Sequence, residues 1–484
     1  MAGGLRIPVR DLLLHDAPFS CGVPLTDELC FLTGAELTDG YRRGELSPVE
    51  VVRALLDRLE RVNPRVNALY FVDHEGALAA ARDAEARWRR HQPLSELDGV
   101  PVTLKDSIPV AGMPTPLGTR AYAGRSPDGA DAPSTERLRE AGAVLIGKTT
   151  MPDLGMIASG LSTAHGVTRN PWNLERNPGG SSSGAGAAVA AGLGALAVGS
   201  DIGGSVRIPA AFCGIVGLKP SYGRVPLMHP WPALVAGPMA RTVGDVARLL
   251  NVIARPDARD YTALSWDGRD YLDGIDAGVR GLKVGLMLDI GFGLPAHEEV
   301  RAHVEAAAMV FEALGAAVER MPPVFEEDPE PHFDRMVQAH AWADFGGLTQ
   351  NERDCVMPEI AEWCRAGERL TAAELTDAAV RLGEIRRRVV AATAPYDLVL
   401  TPTMSVEAFD AGLPWPTGGS RHNPFCFPFN LSEQPALSMC CGFTSNRLPV
   451  GLQIVGRRFD DAGVLRGARA YERARPRVVR PLPL

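Results

Sequence analysis

The segment of residues 177–217 constrains the fold of this chain more than any other part of its sequence. It reads NPGGSSSGAGAAVAAGLGALAVGSDIGGSVRIPAAFCGIVG, and no charged residue occurs between Asn177 and Ser200. The pattern predicts a Gly-Ser loop, a helix of small residues, an apolar strand and a second Gly-Gly-Ser loop. Its apolar part is shorter than the ~18 residues of a membrane-spanning helix and is poor in Leu, Ile and Phe. The segment therefore belongs in the core of a folded protein.

Elements on both sides of this segment predict an α/β fold. Residues 99–104 (GVPVTL) and 143–146 (AVLI) are apolar runs typical of buried strands, and a short helix after Ser134 ends at Gly142. Alternating strands and helices indicate a sheet with both faces covered. Further strands are predicted near residues 283–288 and at 397–401, and further helices at about 297–314 and 372–394.

Helix signals are strong near the N-terminus. Ser47 is a typical N-cap, Pro48 suits the first turn, and Glu50 has the spacing of a capping box. Apolar residues then recur at helical spacing as far as Asn63-Pro64, which is predicted to end the helix. A second, alanine-rich helix is predicted at about residues 76–90.

A single large domain is predicted for residues 1–484, because the chain has no internal repeat and no long flexible linker. Its core is assigned to about residues 99–250 and 395–470, and a variable, lid-like subregion to about 255–395. Between residues 322 and 358 the pattern is irregular and contains an acidic run, which predicts a variable surface insertion.

Composition excludes several classes of partner. The net charge of -8, with Lys and Arg scattered, argues against nucleic acid or an anionic membrane and leaves small neutral ligands open. The N-terminus lacks an apolar segment of signal-peptide length, so we expect a cytoplasmic protein. The eight cysteines form no C-x-x-C pair and have no His at zinc-finger spacing. Reduced, mostly buried thiols are therefore expected, and no metal site is predicted.

Two groups of polar residues stand where apolar elements begin or end. Lys105 directly follows the apolar run of residues 99–104, where a lysine either extends its amine to water or has its pKa lowered until it can act as a base. The loop GGSSSG at residues 179–184 offers backbone amides at a helix N-terminus. It lacks the Gly-Lys-Ser/Thr ending of a phosphate-binding loop. Residues 142–149 (GAVLIGKT) formally match the phosphate-binding pattern, but their four variable positions are Ala, Val, Leu and Ile, which predict a buried strand rather than a flexible loop. A nucleotide site is therefore a weak alternative.

The third group is IGGSVRIP at residues 202–209. Two glycines before Ser205 expose consecutive amides, as an oxyanion hole requires, and a plain turn is the alternative interpretation. A serine nucleophile also needs a base, yet none of the ten histidines lies in a glycine-rich loop, and His165 is more typical of a structural or pocket-lining residue. The G-x-S-x-G pattern centred on Ser182 follows Arg-Asn-Pro rather than an apolar strand. A lysine-based enzyme is thus a better hypothesis than a Ser-His-Asp enzyme.

Six stretches covering nearly the whole chain resemble the amidase signature family, in that family's order. The lysine strand, the Gly-Ser loop and the Gly-Gly-Ser loop occur together, and Ser181 and Ser205 are 24 positions apart, as in the family. The resemblance implies one α/β domain with a mixed, twisted central sheet covered on both faces by helices. The stretches are GVPVTLKD (99–106), RLREAGAVLIGKTTMPDLG (137–155), GVTRNPWNLERNPGGSSSGAGAAVAAG (166–192), SDIGGSVRIPAAFCGIVGLKPSYGRV (200–225), GPMARTVGDVARLL (237–250) and PFNLSEQPALS to GRRFDD (428–461).

The resemblance also implies a Ser-cisSer-Lys triad and no cofactor. Ser205 would be the nucleophile, Ser181 the bridging serine in a cis peptide bond, and Lys105 the base. A free lysine is protonated at neutral pH, so this base has to be buried to become neutral. Implied further are an oxyanion hole of four backbone amides (Ile202, Gly203, Gly204, Ser205), supporting residues (Asp201, Arg207, Ser182) and a backbone carbonyl facing the substrate (Gly155).

The implied activity is hydrolysis of carboxamide C–N bonds, with esters, anilides or carbamates as related substrates. One alternative is the glutaminase subunit of a tRNA-dependent amidotransferase. Asn423 argues against it, because an acidic residue that binds the glutamine ammonium is expected there. A catalytically silent scaffold or binding protein is the alternative from another class.

The substrate is predicted to be a small amide with an apolar or aromatic group. Loops around Met156, residues 228–231 and residues 425–429 are rich in Met, Trp, Phe and Pro, and Trp231 and Phe425 are the predicted pocket walls. Ordinary core positions are the alternative interpretation of these residues. Family resemblance also makes a homodimer the expected assembly.

Overall fold

The computed structural model describes residues 25–417, 419, 422–475 and 481. The predictions for the N-terminal segment and for Cys21 lie outside these residues. Among the helices of the described residues, none combines the length and apolarity needed to cross a bilayer.

The strands of the described chain come from all parts of the sequence. Thirteen occur there: β1 (Leu69–Val72), β2 (Pro101–Lys105), β3 (Val144–Thr149), β4 (Leu161–Ser162), β5 (Gly166–Val167), β6 (Leu196–Asp201), β7 (Val216–Lys219), β8 (Val235–Ala240), β9 (Lys283–Leu286), β10 (Ala317–Arg320), β11 (Leu398–Pro402), β12 (Ala436–Phe443) and β13 (Pro449–Gly456).

Eleven of these strands form one sheet, and β4 pairs only with β5. The order in the sheet is β1-β3-β2-β6-β8-β7-β12-β13-β11-β9-β10. Strands β3, β2 and β6 are parallel, as are β11, β9 and β10, whereas the strands between β6 and β11 pair antiparallel. The sheet is therefore mixed, as predicted. Because β2 and β6 are parallel with Leu104 opposite Val198, their carboxyl ends meet at one edge.

Helices cover the sheet and form a peripheral group. The described chain contains α1 (Leu25–Leu29), α2 (Gly34–Arg43), α3 (Pro48–Val66), α4 (His74–Arg89), α5 (Pro133–Glu140), α6 (Ser183–Ala191), α7 (Arg207–Cys213), α8 (Val243–Ile253), α9 (Glu298–Ala313), α10 (Glu330–Phe345), α11 (Gln350–Arg353), α12 (Pro358–Glu368), α13 (Ala372–Thr393), α14 (Phe427–Leu431) and α15 (Asp461–Ala474), with 3-10 turns at Arg120–Tyr122 and Asp153–Gly155.

Helix α6 lies where the small-residue pattern predicted, and every one of its residues is buried. Its glycine at position 184 shows why the residues are small. A Cβ atom there would lie 2.2 Å from the carbonyl oxygen of Ala68 and 2.4 Å from the amide nitrogen of Thr150. Close backbone packing of α6 then allows the loops at its N-terminus to reach the end of β6.

The ends of helix α3 differ from the prediction. Ser47 caps it through the amides of Val49 and Glu50, but its hydroxyl is also hydrogen-bonded to Glu85, and no reciprocal bond from Glu50 completes a capping box. Pro64 does not end the helix, which continues to a left-handed Asn67. The helix therefore runs through Pro64 although this residue has no amide to donate to the carbonyl of Glu60.

The range predicted as a variable surface insertion, residues 322–358, contains regular helices despite its irregular sequence pattern. This range contains α10 and α11, and α10 packs against both α12 and α13. Its apolar residues consequently do not lie on a single stripe, which hides the helical period. The broader subregion of residues 255–395 also contributes β9 and β10 to the main sheet. Only the helical part from α10 to α12 therefore lies apart from the sheet.

Candidate active site

Three polar loops meet at the edge where β2 and β6 end. Lys105 is the last residue of β2, Ser181 lies in the loop before α6, and Ser205 lies in the turn between β6 and α7. The side chains of Lys105 and Ser181 are in direct contact. The loop of Ser205 is joined to that of Ser181 by the neighbouring Ser182, whose amide donates to the carbonyl of Ser205 at 3.1 Å.

The amine of Lys105 is inside the protein rather than in solvent. The residue is 1% exposed, and Nζ donates to Ser181 Oγ at 2.7 Å and to Ser200 Oγ at 3.0 Å. Burial lowers the pKa of Lys105 to about 7, against the opposing charges of Asp201 and Asp106. A large fraction of the amine is therefore neutral near pH 7 and able to accept a proton.

The loop before α6 presents Ser181 to this amine. The Gly180–Ser181 peptide bond is cis, as the resemblance implies, and Ser181 is 3% exposed. A Cβ at position 180 would lie 2.6 Å from the carbonyl oxygen of Ser159, so only glycine fits. A Cβ at Gly155 would lie 3.3 Å from Ser181 Oγ, which puts Gly155 beside the bridging hydroxyl.

The turn of Ser205 is built on the carboxylate of Asp201. Oδ1 accepts the amide of Gly204 at 2.8 Å, and Oδ2 accepts the amide of Val206 at 3.0 Å. The structure differs here from the predicted oxyanion hole, because the Gly204 amide is committed to Asp201. Within the described residues, no hydrogen-bond acceptor engages the other three predicted amides, those of Ile202, Gly203 and Ser205.

Asp201 and Arg207 form a fully buried ion pair beneath this turn, with Nη2 and Oδ1 2.9 Å apart. Burial alone would raise the pKa of Asp201, but the Arg207 charge and several hydrogen bonds hold it well below its ordinary value. Asn430 and Gln453, which sequence reasoning missed, accept hydrogen bonds from Arg207. The predicted supporting role of Asp201 and Arg207 thus corresponds to a rigid base for the turn.

Ser205 as a residue is 9% exposed. The amine of Lys105 contacts the hydroxyls of Ser181 and Ser200, and among the described residues no side chain is hydrogen-bonded to the Ser205 hydroxyl. Ser182 Oγ donates to the carbonyl of Ser200 at 3.2 Å and accepts the amide of the same residue at 3.3 Å. Ser182 therefore connects the two serine loops and takes no part in an esterase-type elbow. Ser200, the second hydroxyl at Lys105, was also missed, although it directly precedes Asp201 in the sequence.

Of the two predicted aromatic walls, Phe425 packs in the main core. It is 2% exposed in the main core, and its carbonyl accepts Gln453 Nε2 at 2.8 Å. Trp231 is half-buried, and its ring lies 4.7 Å from that of His340 on α10. Phe333 and Phe427 lie beside Gly203 of the Ser205 turn and stack on each other with ring centroids 5.2 Å apart.

Phe333 closes the site from α10. A Cβ built on Gly203 would lie 3.9 Å from its ring and 3.8 Å from Phe427. Met156 packs with Trp342 and other residues against the apolar cluster of α10 and α12. Only the long-range fold brings α10 to this edge, so no local signal in the sequence marks Phe333.

Other predicted features take structural roles. Asn423 Nδ2 donates to the carbonyl of Gly203 at 3.0 Å, which holds the turn. The chance match to a phosphate-binding loop is strand β3, and the buried Lys148 donates to the Ile108 carbonyl at 2.6 Å. Seven cysteines in the described chain are free thiols. No cluster of three or more His, Cys, Asp or Glu suited to a metal occurs in the same part of the chain.

Comparison with known proteins agrees with this geometry. A model of the Amidase family matches residues 50–465. A glutamyl-tRNA(Gln) amidotransferase subunit of Myxococcus xanthus is 38% identical over 94% of this chain and 100% of its own length. An acylamidase of Rhodococcus erythropolis is 34% identical over 93% of this chain and 96% of its own.

Two solved structures share the fold over their whole length. A bacterial aryl acylamidase of the amidase signature enzymes has a TM-score of 0.85 at 29% identity, covering 92% of this chain and 96% of that one. The 6-aminohexanoate cyclic dimer hydrolase also has a TM-score of 0.85 at 29% identity, covering 93% and 99%. The chain therefore belongs to the amidase signature family, whose enzymes act on amide C–N bonds.

Proposed function

We propose that this chain hydrolyses carboxamides through a covalent acyl-enzyme on Ser205, with Ser181 and Lys105 as the proton relay. The observation that carries the proposal is the buried Lys105 amine, 2.7 Å from Ser181 Oγ. A buried neutral amine beside a hydroxyl is the arrangement that a lysine base needs.

The proposed reaction begins with proton transfer. Lys105 accepts a proton from Ser181 while Ser181 accepts one from Ser205, and Ser205 Oγ attacks the substrate carbonyl carbon. The amides of Ile202, Gly203 and Ser205 would bind the negative oxygen that forms. The Ser205 hydroxyl is not hydrogen-bonded to Ser181 among the described residues, so for this step it has to turn toward Ser181. Hydrogen bonds of catalytic groups often tighten in this way when substrate binds.

The leaving nitrogen then receives the proton through the reverse relay, and the C–N bond breaks. Water attacks the acyl-enzyme by the same route, which releases the carboxylic acid and restores Ser205. Overall, one amide and one water give one acid and one amine. The residues Lys105, Ser181 and Ser205 supply every proton transfer, so no metal or organic cofactor is part of the proposal.

The proposed substrate carries an apolar or aromatic group. Support comes from the stacked rings of Phe333 and Phe427 next to Gly203 and from Met156, which directly follows Gly155 and packs on the apolar cluster of α10 and α12. Hydrolysis rates over a panel of aryl amides, alkyl amides, carbamates and esters test the assignment. Uniformly undetectable hydrolysis across the aryl and alkyl amides by folded protein would refute it.

A glutaminase subunit is the second candidate, because the 38% identical relative from Myxococcus xanthus is named as part of an amidotransferase. Asn423 argues against it: its side-chain amide is bound to the Gly203 carbonyl and carries no charge to bind an ammonium group. Ammonia release from glutamine, measured beside release from aryl amides, separates the two functions. A higher kcat/KM on glutamine would favour the glutaminase.

Replacing Ser181 with alanine is expected to lower kcat by about 10²–10⁴-fold, because Lys105 loses its hydroxyl route to Ser205. Steady-state hydrolysis of an aryl amide measures the effect. Ser183→Ala is the matched control, since Ser183 is equally buried two residues away and makes only a 3.4 Å contact to the Thr150 carbonyl. Equal rates for both variants would contradict the relay.

Replacing Phe333 with alanine is expected to raise KM for aryl amides about tenfold or more, because the ring beside Gly203 is lost. A small alkyl amide reaches this ring less and should change little. The exposed Phe459 provides a control, Phe459→Ala, which should leave both substrates unaffected. The same KM increase for both substrates would show that Phe333 does not select aryl groups.

The cellular location, the partners and the oligomeric state are proposed as follows. We propose a cytoplasmic enzyme, supported by the free thiols, whose partner is a small amide rather than nucleic acid or a membrane. A homodimer is proposed on family resemblance, and sedimentation equilibrium tests it. The helices α10–α12 are proposed as the part of the single domain that covers the site.

A further inference from the structure

Asp106 follows the base directly in the sequence, and its carboxylate is fully buried. Each of its two oxygens has two polar neighbours, so the carboxylate is surrounded by polar groups. Oδ1 accepts from Leu117 N at 3.1 Å and lies 3.3 Å from Tyr70 Oη, whose hydroxyl also donates to the Pro114 carbonyl at 2.7 Å. Oδ2 accepts from Gly118 N at 2.7 Å and lies 3.0 Å from His165 Nε2.

His165 is held rigidly against this carboxylate. Its ring stacks on Tyr70 with centroids 4.1 Å apart and planes 17° apart. Its own amide donates to Ser162 Oγ at 2.9 Å, and its carbonyl accepts Asn67 Nδ2 at 2.6 Å. Both the backbone and the ring of His165 are therefore fixed, and the imidazole is aimed at Asp106.

The two amides bound by Asp106 connect it to the other side of the site. The carbonyl of Leu117 accepts the amide of Leu154 at 2.8 Å. A Cβ on Gly118 would lie 2.4 Å from the Met151 carbonyl oxygen, so the two loops are in backbone contact. The turn that follows brings Gly155 next to Ser181 Oγ. One carboxylate thus connects the strand end of Lys105 with the turn of Gly155.

We propose that Asp106, with His165 as its partner, is a positioning residue for amide hydrolysis that holds Lys105 and the Gly155 turn in one arrangement. The inference rests on the proposed function of Lys105 as the base. Neither residue touches the reacting atoms, so both act through Lys105 and the turn.

Asp106 also acts on Lys105 by its charge. It opposes the effect of burial on the pKa of Lys105, and it acts in the same way on the pKa of Lys148. Asp201 acts on Lys105 in the same direction, and Asp128 is the other carboxylate near Tyr70 and Lys148. Removing the Asp106 charge should therefore lower the pKa of Lys105 further.

The first test is Asp106→Asn, measured by the pH dependence of kcat/KM and of the labelling rate of Ser205 by a fluorophosphonate. The acid limb of both profiles is expected to move down by on the order of one pH unit, and kcat to fall because the amide clashes with a donor. Asp153→Asn is the matched control. Asp153 is equally buried and holds the same turn through Thr163 N at 2.7 Å and Met357 N at 3.1 Å, but it does not influence Lys105.

The second test is His165→Phe, which keeps a ring on Tyr70 and removes a donor from the carboxylate. The less neutralised charge of Asp106 should then move the acid limb up by a few tenths of a unit, opposite to Asp106→Asn. An unmoved limb in folded Asp106→Asn, or an equal shift in Asp153→Asn, would overturn the proposal. If Asp106→Asn does not fold, the proposal is overturned instead by His165→Phe, when the acid limb of its pH profile is unmoved or lies at lower pH. Failure of the proposed function is seen separately, as turnover retained by Ser205→Ala.

Discussion

Replacement of Ser205 by alanine is expected to reduce amide hydrolysis by about six orders of magnitude, to the background rate. In the proposed mechanism Ser205 supplies the oxygen that bonds to the substrate carbonyl, so its removal leaves the relay without a nucleophile. The Asp201 carboxylate holds that turn independently of the Ser205 side chain, so the variant should fold normally. Steady-state rates, together with a thermal melt, measure both effects.

Labelling identifies the nucleophile directly. A fluorophosphonate should add to Ser205 in the wild type, seen as a mass increase on its peptide, and should not react with Ser205→Ala. Ser221→Ala is a suitable control, because Ser221 is fully buried and its hydroxyl is without a partner among the described residues. Normal turnover by Ser205→Ala, or a label on another serine, would refute the assignment.

The parts of the fold that are dictated by local sequence were predictable. Helix α6 and strand β2 were predicted from runs of small or apolar residues, which are typical of buried elements. Strands β7, β8, β12 and β13 were missed as individual strands. They pair antiparallel in the middle of the sheet, β7 with β8 and β12, and β12 with β13, so their neighbours rather than their own period determine burial.

The residues of the candidate site also fall into a group that local sequence predicts and a group that it does not. Glycine-rich loops and the lysine at a strand end are visible as short motifs, and the family resemblance orders them into a relay. Asn430 and Phe333 reach the site only through tertiary packing, so no spacing rule identifies them. Ser200 belongs to the Gly-Gly-Ser stretch itself, but its contact with Lys105 arises because β2 lies beside β6. The burial of Phe425 in the main core was not predictable either, since an aromatic residue in an apolar loop fits a pocket wall and a core equally well.

Replacing Lys105 with methionine is expected to lower kcat by about 10³–10⁴-fold, because no other base contacts Ser181 among the described residues. In the wild type, kcat/KM should fall as the pH drops below about 7, since burial lowers the pKa of Lys105 to about 7 and protonation removes the base. The residual activity of Lys105→Met should lack this acid limb. A pH profile of both proteins with one aryl amide measures the difference.

Lys105→Met should also raise the free energy of unfolding, because the pKa of the buried Lys105 is lowered in the folded state. Because the folded state binds this proton less tightly than the unfolded state, burying Lys105 costs on the order of 5 kcal/mol below pH 7, and the cost disappears as the pH rises toward 10.5. Lost hydrogen bonds to Ser181 and Ser200 offset part of the gain. Denaturant unfolding should therefore show a larger gain for Lys105→Met at pH 6 than at pH 10.

Lys219 makes a stringent control for this experiment, because it separates a buried lysine from a catalytic one. It is fully buried on β7, burial lowers its pKa to about 7, and its amine donates to the Pro220 carbonyl at 3.1 Å. Lys219→Met should gain stability with the same pH dependence but keep kcat and the acid limb. If Lys219→Met removed the acid limb while Lys105→Met retained it, the base would have been assigned to the wrong amine.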